Sequence, residues 1–283
     1  MSAGPPVPED APVVVRRARV AAAGTPDAPR VLLLHGLASS SSCWEALLPL
    51  LDPVCEVWTA DLPWRGAGVD GWWEPAPSTW ADRAIRAVPG GPDVVVAHSF
   101  GAGALLGWLD ARCATPDADV APPRGVVLAS PFYRASAEDF AWDTISYYLN
   151  HFDKILEDGV RVRSGGRLSE EVRHLMALKV RDRVGCHGWM RFFDTYLKTP
   201  TLRTDAMRLP VRIIAGADDF AAFPRDAHAL GEALLDASVH VLDGTGHFSM
   251  VERPGVFADL TNALIHDVSV PARPGHLSAL EYN

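Results

Sequence analysis

Residues 94–109 read VVVAHSFGAGALLGWL, so that a run of valines passes through a serine directly into a segment rich in Ala and Leu. The valine run predicts a buried strand and the later segment predicts a helix. A serine on so tight a turn has a strained backbone, and the residues two positions away, Ala97 and Gly101, are suitably small. We expect the Ser99 hydroxyl to face outward beside the Phe100 N–H, at the positive end of the helix. The stretch therefore predicts a nucleophile, with an ordinary helix-capping serine as the alternative interpretation.

Short apolar runs and helix-like segments alternate along most of the chain. Seven runs predict strands: VVVRRARV, VLLLHG, VCEVWTADLP, DVVVAHS, GVVLAS, VRIIAG and SVHVLDG. Continuous apolar runs of this length are typical of strands buried on both faces of a parallel sheet. The segments between them predict helices at Ser42–Leu51, near Thr79–Val88, and at Gly101–Ala114, Pro224–Leu235 and Pro254–His266. The alternation predicts an α/β fold with a doubly wound, mostly parallel sheet.

One interval interrupts this alternation. Residues 132–209 contain no convincing strand but several amphipathic stretches, among them EEVRHLMALKV and GWMRFFDTYL. The interval lies between GVVLAS and VRIIAG, so we expect it above the carboxyl ends of the strands, where open α/β sheets bind ligands. The predicted organisation is a core of residues 13–131 and 210–269, an inserted helical cap of residues 132–209, and loose tails at 1–12 and 270–283.

The nucleophile turn and the loop after VLLL resemble those of the α/β-hydrolase family. The family turn is usually Gly-x-Ser-x-Gly, and this chain has Ala97 at the first position, a tolerated variant. VLLLHGLASSSSCW is similar to the family's oxyanion loop. The resemblance implies that the Leu37 N–H is a second oxyanion donor beside that of Phe100, and that His35 braces the loop. The later ADLPWRGAG replaces the family's Asp-x-Pro-Gly-x-Gly turn, which changes the pocket wall rather than the chemistry.

Two further loops resemble the acid and histidine loops of the same family. A serine hydroxyl is a weak nucleophile at neutral pH, so an imidazole must accept its proton and a carboxylate must orient that imidazole. The family order is Ser, acid, His. VRIIAGADDFAAFP resembles the acid loop, and the spacing Gly-x-x-Asp selects Asp219 over Asp218. SVHVLDGTGHFSMVERP resembles the histidine loop and supplies His247, whereas His98 is expected to pack and to point away from the site.

Aromatic residues are abundant in the predicted cap and in the core loop that follows the third predicted strand. Most of them must pack the helices onto the core, but those facing inward would form an apolar pocket suited to a fatty or aromatic acyl group. The candidate pocket residues are Trp64, Phe132, Tyr133, Trp142 and Phe248.

The overall composition excludes several classes of partner. The net charge of −9, with no Lys- or Arg-rich run, disfavours nucleic acids. No basic and apolar leader and no membrane-spanning run is found, so we expect a cytoplasmic protein. The four cysteines and the remaining histidines lack metal-ligand spacing, and neither a metal nor a cofactor is implied.

The resemblance implies a serine hydrolase or acyl-transfer enzyme acting on a small-molecule ester, thioester or lactone. If the substrate is a thioester, a carrier protein is a further expected partner. The same triad also serves carbon–carbon bond hydrolases, lyases and acyltransferases, and a few relatives are small-molecule receptors. Epoxide hydrolases and haloalkane dehalogenases are disfavoured because they use an aspartate where this chain has Ser99.

Overall fold

The computed structural model describes residues 13–23, 27–65, 76–115 and 119–269. The predicted tails at 1–12 and 270–283 lie outside these residues. Each of the seven predicted apolar runs forms a strand of a single sheet with the order β1-β3-β2-β4-β5-β6-β7. The strands are β1 (Val14–Arg19), β2 (Arg30–Leu34), β3 (Glu56–Asp61), β4 (Val94–His98), β5 (Gly125–Ala129), β6 (Val211–Gly216) and β7 (Ala237–Leu242).

The sheet is parallel except at one edge. Only β1 pairs antiparallel with its neighbour β3, and the other pairs are parallel. Alternate residues of the fully buried strand β4 belong to two apolar clusters, with Val95 and Ala97 in one and Val94 and Val96 in the other. Because successive side chains of a strand point to opposite faces, this continuous apolar run has a core on both sides. The predicted α/β fold class is confirmed.

Helices cover the sheet and fill the interval between β5 and β6. The described helices are α1 (Pro77–Ala87), α2 (Phe100–Ala114), α3 (Trp142–Arg163), α4 (Glu170–Leu197), α5 (Pro224–Ala233), α6 (Ser249–Glu252) and α7 (Pro254–Ser269). The predicted helix at Ser42–Leu51 is instead two short 3₁₀ turns, Ser41–Trp44 and Leu48–Leu50. Pro49 has no N–H to donate in a continuing α-helix, and a four-serine run precedes this segment.

Two long helices, α3 and α4, account for most of residues 132–209, in which the structure contains no strand. They pack against each other, and α4 also contacts α2 of the core. Helix α4 bends at Gly185, which has φ 63° and ψ −179°. This backbone conformation strains any residue with a Cβ, so a glycine is required at the bend. Hereafter we call residues 132–209 the cap.

The loops that the sequence analysis singled out meet at one edge of the sheet. Ser99 follows β4, Asp219 follows β6, His247 follows β7, and Gly36 follows β2. The carboxyl ends of parallel strands point the same way, so four segments distant in sequence converge at a common edge.

Candidate active site

Ser99 lies on the turn between β4 and α2 with a backbone conformation that non-glycine residues rarely adopt, φ 55° and ψ −121°. It occupies the N-cap position of α2, but its side chain makes no capping hydrogen bond. The Ser99 hydroxyl instead donates to His247 Nε2 at 3.0 Å. Backbone strain of this kind costs about 1–3 kcal/mol and persists only where the surrounding structure enforces it. The capping interpretation therefore does not describe this serine.

The turn is tight enough to require glycine at position 101. A Cβ placed on Gly101 would lie 2.5 Å from the carbonyl oxygen of His35, well inside van der Waals contact. Similarly, a Cβ on Gly36 would lie 3.0 Å from the Ser99 Cβ. The strand end of β2 and the nucleophile turn are thus held against each other by their backbones.

His247 and Asp219 continue the hydrogen-bonded chain from Ser99. His247 Nδ1–H donates to Asp219 Oδ2 at 2.8 Å, and the other carboxylate oxygen accepts the N–H groups of Ala221 and Ala222 at 2.8 and 2.9 Å. An ionised carboxylate only accepts hydrogen bonds, and these three donors satisfy both oxygens of Asp219. With its Nδ1 proton held by Asp219, His247 presents the Nε2 lone pair to Ser99. The neighbouring Asp218 is exposed. The structure thus brings Asp219, rather than Asp218, to the histidine.

Burial and charge act in opposite directions on the His247 imidazole. Complete burial favours its neutral form, but the Asp219 carboxylate, through its charge and its hydrogen bond, outweighs burial and raises the pKa of His247 above its usual range. Asp158 and Glu252 act in the same direction with smaller effects. The arrangement stabilises the imidazolium that forms when the histidine takes a proton.

Three residues that the sequence analysis did not assign to the site hold the backbone around His247. Glu252 accepts hydrogen bonds from the N–H groups on both sides, those of Gly246 and Phe248, at 3.2 and 3.1 Å. The His247 carbonyl accepts from His98 Nε2–H at 2.9 Å and from the Ser130 hydroxyl at 3.2 Å. In the sequence, His98 directly precedes Ser99 and Glu252 lies five residues after His247, but no pattern marks Ser130.

His98 does not simply point away from the site. It lines the cavity above Ser99, and its ring lies 4.9 Å from that of His247 between centroids. Complete burial, together with the charge of His247, lowers the pKa of His98 well below its usual range. A permanently neutral ring can keep the Nε2 proton that it donates to the His247 carbonyl.

The predicted oxyanion donors belong to two segments that meet at Ser99. Leu37 lines the cavity next to the serine, and Phe100 begins α2. The loop that carries Leu37 is fixed on both sides, because the Ala38 N–H donates to the Trp64 carbonyl at 2.8 Å and Trp64 Nε1–H donates to the His35 carbonyl at 3.0 Å. His35 thus has the bracing environment that the resemblance implied, and its Nε2 also accepts the Leu62 N–H.

A cavity opens above Ser99 between the core and the cap. Its volume is about 660 Å³, including the part that is open to solvent. Of the five candidate pocket residues, Phe132 and Phe248 line it. Most of its remaining cap lining is apolar and comes from α3 and α4: Tyr148, Phe152, Ile155, Leu156, Val180, Trp189 and Phe192.

The other three candidate pocket residues lie elsewhere. Trp64 is fully buried and packs edge-on against Phe100, beneath the oxyanion loop. Tyr133 is buried in the apolar cluster of the core. Trp142, the first residue of α3, is 75% exposed. That a residue is aromatic does not tell whether its side chain faces the cavity, the core or solvent.

A smaller space extends from Ser99 in another direction. It is lined by Ser99 and Phe100 from the core and by Phe132, Phe192 and Thr195 from the cap, among others. A group bonded to the reacting carbonyl can therefore extend on two sides of the serine, which suits a substrate with an acyl part and a leaving part.

Two negative findings apply to the described ranges only. In residues 13–23, 27–65, 76–115 and 119–269, no three His, Cys, Asp or Glu side chains come together in a way that could hold a metal ion. Within those same ranges, no helix has both the length and the apolar character needed to cross a bilayer.

Comparison with known proteins extends these findings. The chain has 16% identity to Est816, described as an N-acyl homoserine lactone degrading enzyme, with a TM-score of 0.62 and coverage of 89% of this chain and 96% of that one. A putative lipase from Acinetobacter baumannii AYE has 18% identity and a TM-score of 0.66, with coverage of 91% and 89%. MenH from S. aureus has 16% identity and a TM-score of 0.60, with coverage of 91% and 99%. At these identities the likeness shows a shared fold.

A search of curated protein sequences found no significant match. The profile of the Alpha/beta hydrolase family, in contrast, matches residues 31–260, which is most of the chain and includes the three residues of the hydrogen-bonded chain. On the strength of that match, this protein belongs to the alpha/beta hydrolase family and is a hydrolytic enzyme.

Proposed function

We propose that this enzyme is a serine hydrolase or acyl-transfer enzyme that forms an acyl-enzyme on Ser99. The substrate is a small ester, thioester or lactone with an apolar or aromatic acyl group. One observation carries the proposal: an unbroken hydrogen-bonded chain from Asp219 through His247 to the Ser99 hydroxyl opens onto an apolar cavity.

The mechanism follows from the order of the hydrogen bonds from Asp219 through His247 to Ser99. His247 Nε2 takes the proton of the Ser99 hydroxyl as the oxygen attacks the substrate carbonyl, and Asp219 stabilises the imidazolium that results. The Leu37 and Phe100 N–H groups are the proposed donors to the oxyanion. His247 then gives its proton to the leaving group, and water or another acceptor, activated in turn by His247, releases the acyl group.

The cavity lining supports an apolar acyl group. Phe132, Tyr148 and Phe192 lie in contact with one another, with ring centroids 4.8–5.9 Å apart, and form a wall beside the serine. A hydrocarbon chain that leaves water for this wall gains about 0.8 kcal/mol for each buried methylene. A thioester substrate would make a carrier protein a further partner.

Other chemistries on the same three residues stay open as alternatives: carbon–carbon bond hydrolysis, a lyase reaction, acyl transfer and, more remotely, a small-molecule receptor. The nucleophile position separates this chain from enzymes that use an aspartate there.

Adduct mass spectrometry tests the proposal directly. We expect p-nitrophenyl hexanoate to release nitrophenol and to leave a transient hexanoyl mass on the Ser99 peptide, trapped by acid quench. Ser99→Ala should show neither. Binding of the ester with no adduct and no release would favour the receptor, and an adduct on another residue would contradict the assignment of Ser99.

A series of esters tests the acyl preference. From acetyl to hexanoyl, kcat/KM should rise by roughly fourfold for each methylene that becomes buried. Phe132→Ala should flatten this rise. Phe140→Ala is the matched control, because that ring packs on Tyr196 without lining the cavity. A flat or falling series in the unmodified enzyme would favour a small or polar substrate.

A further inference from the structure

One side chain in the lining of the main cavity does not fit a purely apolar substrate. Arg163, the last residue of α3, carries the one permanent charge among the described residues that line the cavity. It is exposed, so the guanidinium lies where the cavity meets solvent. Apart from His247, the other titratable lining groups are His98 and Tyr148, and burial favours the neutral form of both.

The Arg163 guanidinium has unused donor groups. Its Nε–H donates to the Gly159 carbonyl one turn earlier in α3, at 3.1 Å. Its terminal nitrogens have no ion pair or hydrogen bond among the described residues, whereas the next arginine on this helix end, Arg161, is paired with Asp158 at 2.6 Å. A favourable interaction with the helix C-terminus explains a basic residue here, but it does not explain why this one faces the cavity.

The Ser39 hydroxyl is a second polar group of the same lining, and the Cys43 thiol is within reach of both Ser39 and Arg163. Ser39 is only 4% exposed and lines the cavity. Its Oγ interacts with the Cys43 thiol, a weak hydrogen-bonding group, and has no stronger partner among the described residues. A buried hydroxyl without a strong partner costs free energy, so such groups generally have a ligand or a water. Ser39 belongs to the loop that follows β2, and Arg163 comes from the cap, so two different segments supply donors.

No described carboxylate competes for these donors. The nearby Asp61 is paired with Arg16 at 2.9 Å, and Asp158 is paired with Arg161. The Cys43 thiol lies within the electrostatic reach of Arg163, but burial raises its pKa to about 12 and keeps it uncharged. The cap also has more Lys and Arg than Asp and Glu, although the whole chain has a net charge of −9.

We infer that Ser39 and Arg163 form an anion subsite, so that the substrate carries a carboxylate or phosphate oxyanion in addition to its apolar part. This inference rests on the proposed function and narrows its substrate class. The oxyanion accepts hydrogen bonds from the Arg163 guanidinium and the Ser39 hydroxyl, while the apolar part contacts the Phe132 and Phe192 wall. Two sources supply this chemistry: a carboxylate at the far end of the acyl chain, or the phosphates of a coenzyme A leaving group.

A pair of esters of nearly equal length tests the carboxylate source. The p-nitrophenyl monoester of adipic acid is anionic, and its methyl-capped diester is neutral. We expect Arg163→Gln to lower kcat/KM for the anionic ester roughly tenfold, since a hydrogen bond to a charged group is lost, and to change the neutral ester less than twofold. Arg167→Gln is the matched control, because that exposed arginine also donates Nε–H to a backbone carbonyl but does not line the cavity.

A parallel pair tests the phosphate source. Hexanoyl coenzyme A carries phosphates, and the hexanoyl thioester of N-acetylcysteamine does not. Selective loss on the coenzyme A thioester in Arg163→Gln, with the adipate pair unchanged, would assign the oxyanion to the leaving group. Equal effects of Arg163→Gln on the charged and uncharged members of both pairs would overturn the anion subsite.

Binding separates this inference from the proposed function. In a Ser99→Ala background, titration calorimetry should give tighter binding of monomethyl adipate than of dimethyl adipate, and Ser39→Ala or Arg163→Gln should remove the difference. If the enzyme hydrolyses the neutral esters but shows no such difference, the proposed function stands and the anion subsite fails. If no ester is hydrolysed yet the binding difference is present, the subsite stands and the proposed function fails.

Discussion

Close backbone contacts hold the catalytic loops of the core, whereas side-chain contacts hold the cap. A Cβ on Gly216 would lie 2.2 Å from the carbonyl oxygens of both Thr245 and Gly246, so the acid and histidine loops touch through their main chains. The cap rests on the core through rings such as Tyr148, Phe192 and Tyr196 and through a buried ion pair. A glycine at such a backbone contact cannot be replaced by a residue with a Cβ, whereas a packed ring can be replaced by another side chain of similar volume. In the proposed function, the core loops therefore carry the chemistry and the cap selects the substrate.

The strongest test of this contrast removes the nucleophile. We expect Ser99→Ala to lower kcat by roughly 10⁶-fold, which corresponds to about 8 kcal/mol of transition-state stabilisation. The melting temperature should change little, because alanine keeps the Cβ and the substitution opens no sizeable cavity. Burst and steady-state kinetics with p-nitrophenyl esters provide the measurement. A variant with substantial activity would show that the hydrogen-bonded chain from Asp219 has another purpose.

The second test compares the two adjacent carboxylates. Asp219→Asn should lower kcat roughly 10⁴-fold because the amide no longer holds His247 in the required tautomer, and Asp218→Asn should change it little. In the pH profile of kcat/KM, activity falls at low pH when His247 becomes protonated and can no longer accept the serine proton. Since Asp219 raises the pKa of His247, the residual activity of Asp219→Asn should persist to lower pH than that of the unmodified enzyme. A crippled Asp218→Asn enzyme would contradict the assignment.

The third test breaks the buried ion pair that joins the cap to the core. Arg134 lies 3.2 Å from Asp226, which is fully buried, and both contact the Tyr196 hydroxyl of α4. Burial raises the pKa of Asp226 to about 6. Between about pH 4 and 6 the folded protein therefore binds more protons than the unfolded chain. As a result, the contribution of Asp226 to stability falls as the pH rises through that range.

Arg134→Met removes the closer cation and leaves the Asp226 carboxylate with only the exposed Arg225, at 3.7 Å. We expect a loss of about 3–5 kcal/mol in the free energy of unfolding at pH 8, and a smaller loss at pH 5, where Asp226 can protonate. Urea unfolding at both pH values measures it. Arg203→Met is the control, since its partner Asp110 is on the surface and the expected cost is at most about 1 kcal/mol. Equal losses at the two pH values would contradict the buried-charge explanation.

The smallest expected effect comes from two glycines of the same helix. A Cβ on Gly107 of α2 would meet Ser78 at an ordinary 3.5 Å, so Gly107→Ala should raise the free energy of unfolding by about 0.5–1 kcal/mol. Gly101→Ala should instead lower stability and activity together, because its Cβ would clash with the His35 carbonyl. Thermal unfolding and ester hydrolysis of both variants separate the two positions. A neutral Gly101→Ala would show that the nucleophile turn has more room than the structure indicates.

Sequence patterns predicted the strands and the converging loops because a short stretch of neighbouring residues is enough to mark each strand and each loop. Ser99 stands on a strand-to-helix turn with small neighbours, and a family spacing singled out Asp219. Glu252 and Ser130 could not be found this way. Both residues matter because they hydrogen-bond to the backbone around His247. Ser130 follows a different strand from His247, so only the folded sheet brings the two together.

The cavity lining was the least predictable part. Trp142 and Tyr148 are both aromatic residues of α3, yet one is exposed and the other lines the cavity. Which of them faces inward depends on how α3 is rotated against α4, and that rotation is a property of packing rather than of residue type. The helix expected at Ser42–Leu51 failed for a local reason, since Pro49 interrupts it.

The bend at Gly185 gives this enzyme a modular cap. The part of α4 after the bend carries Trp189 and Phe192 to the cavity, while the part before it contributes only Val180 to the lining among the described residues. Because one glycine joins the two parts, sequence changes at the exposed positions of residues 170–176 should not move the aromatic wall, whereas Ala177 is fully buried and packs within the cap. For protein engineers, this outer stretch is the place to graft a tag or a docking peptide, and, under the proposed function, residues 189–196 are the place to change acyl selectivity.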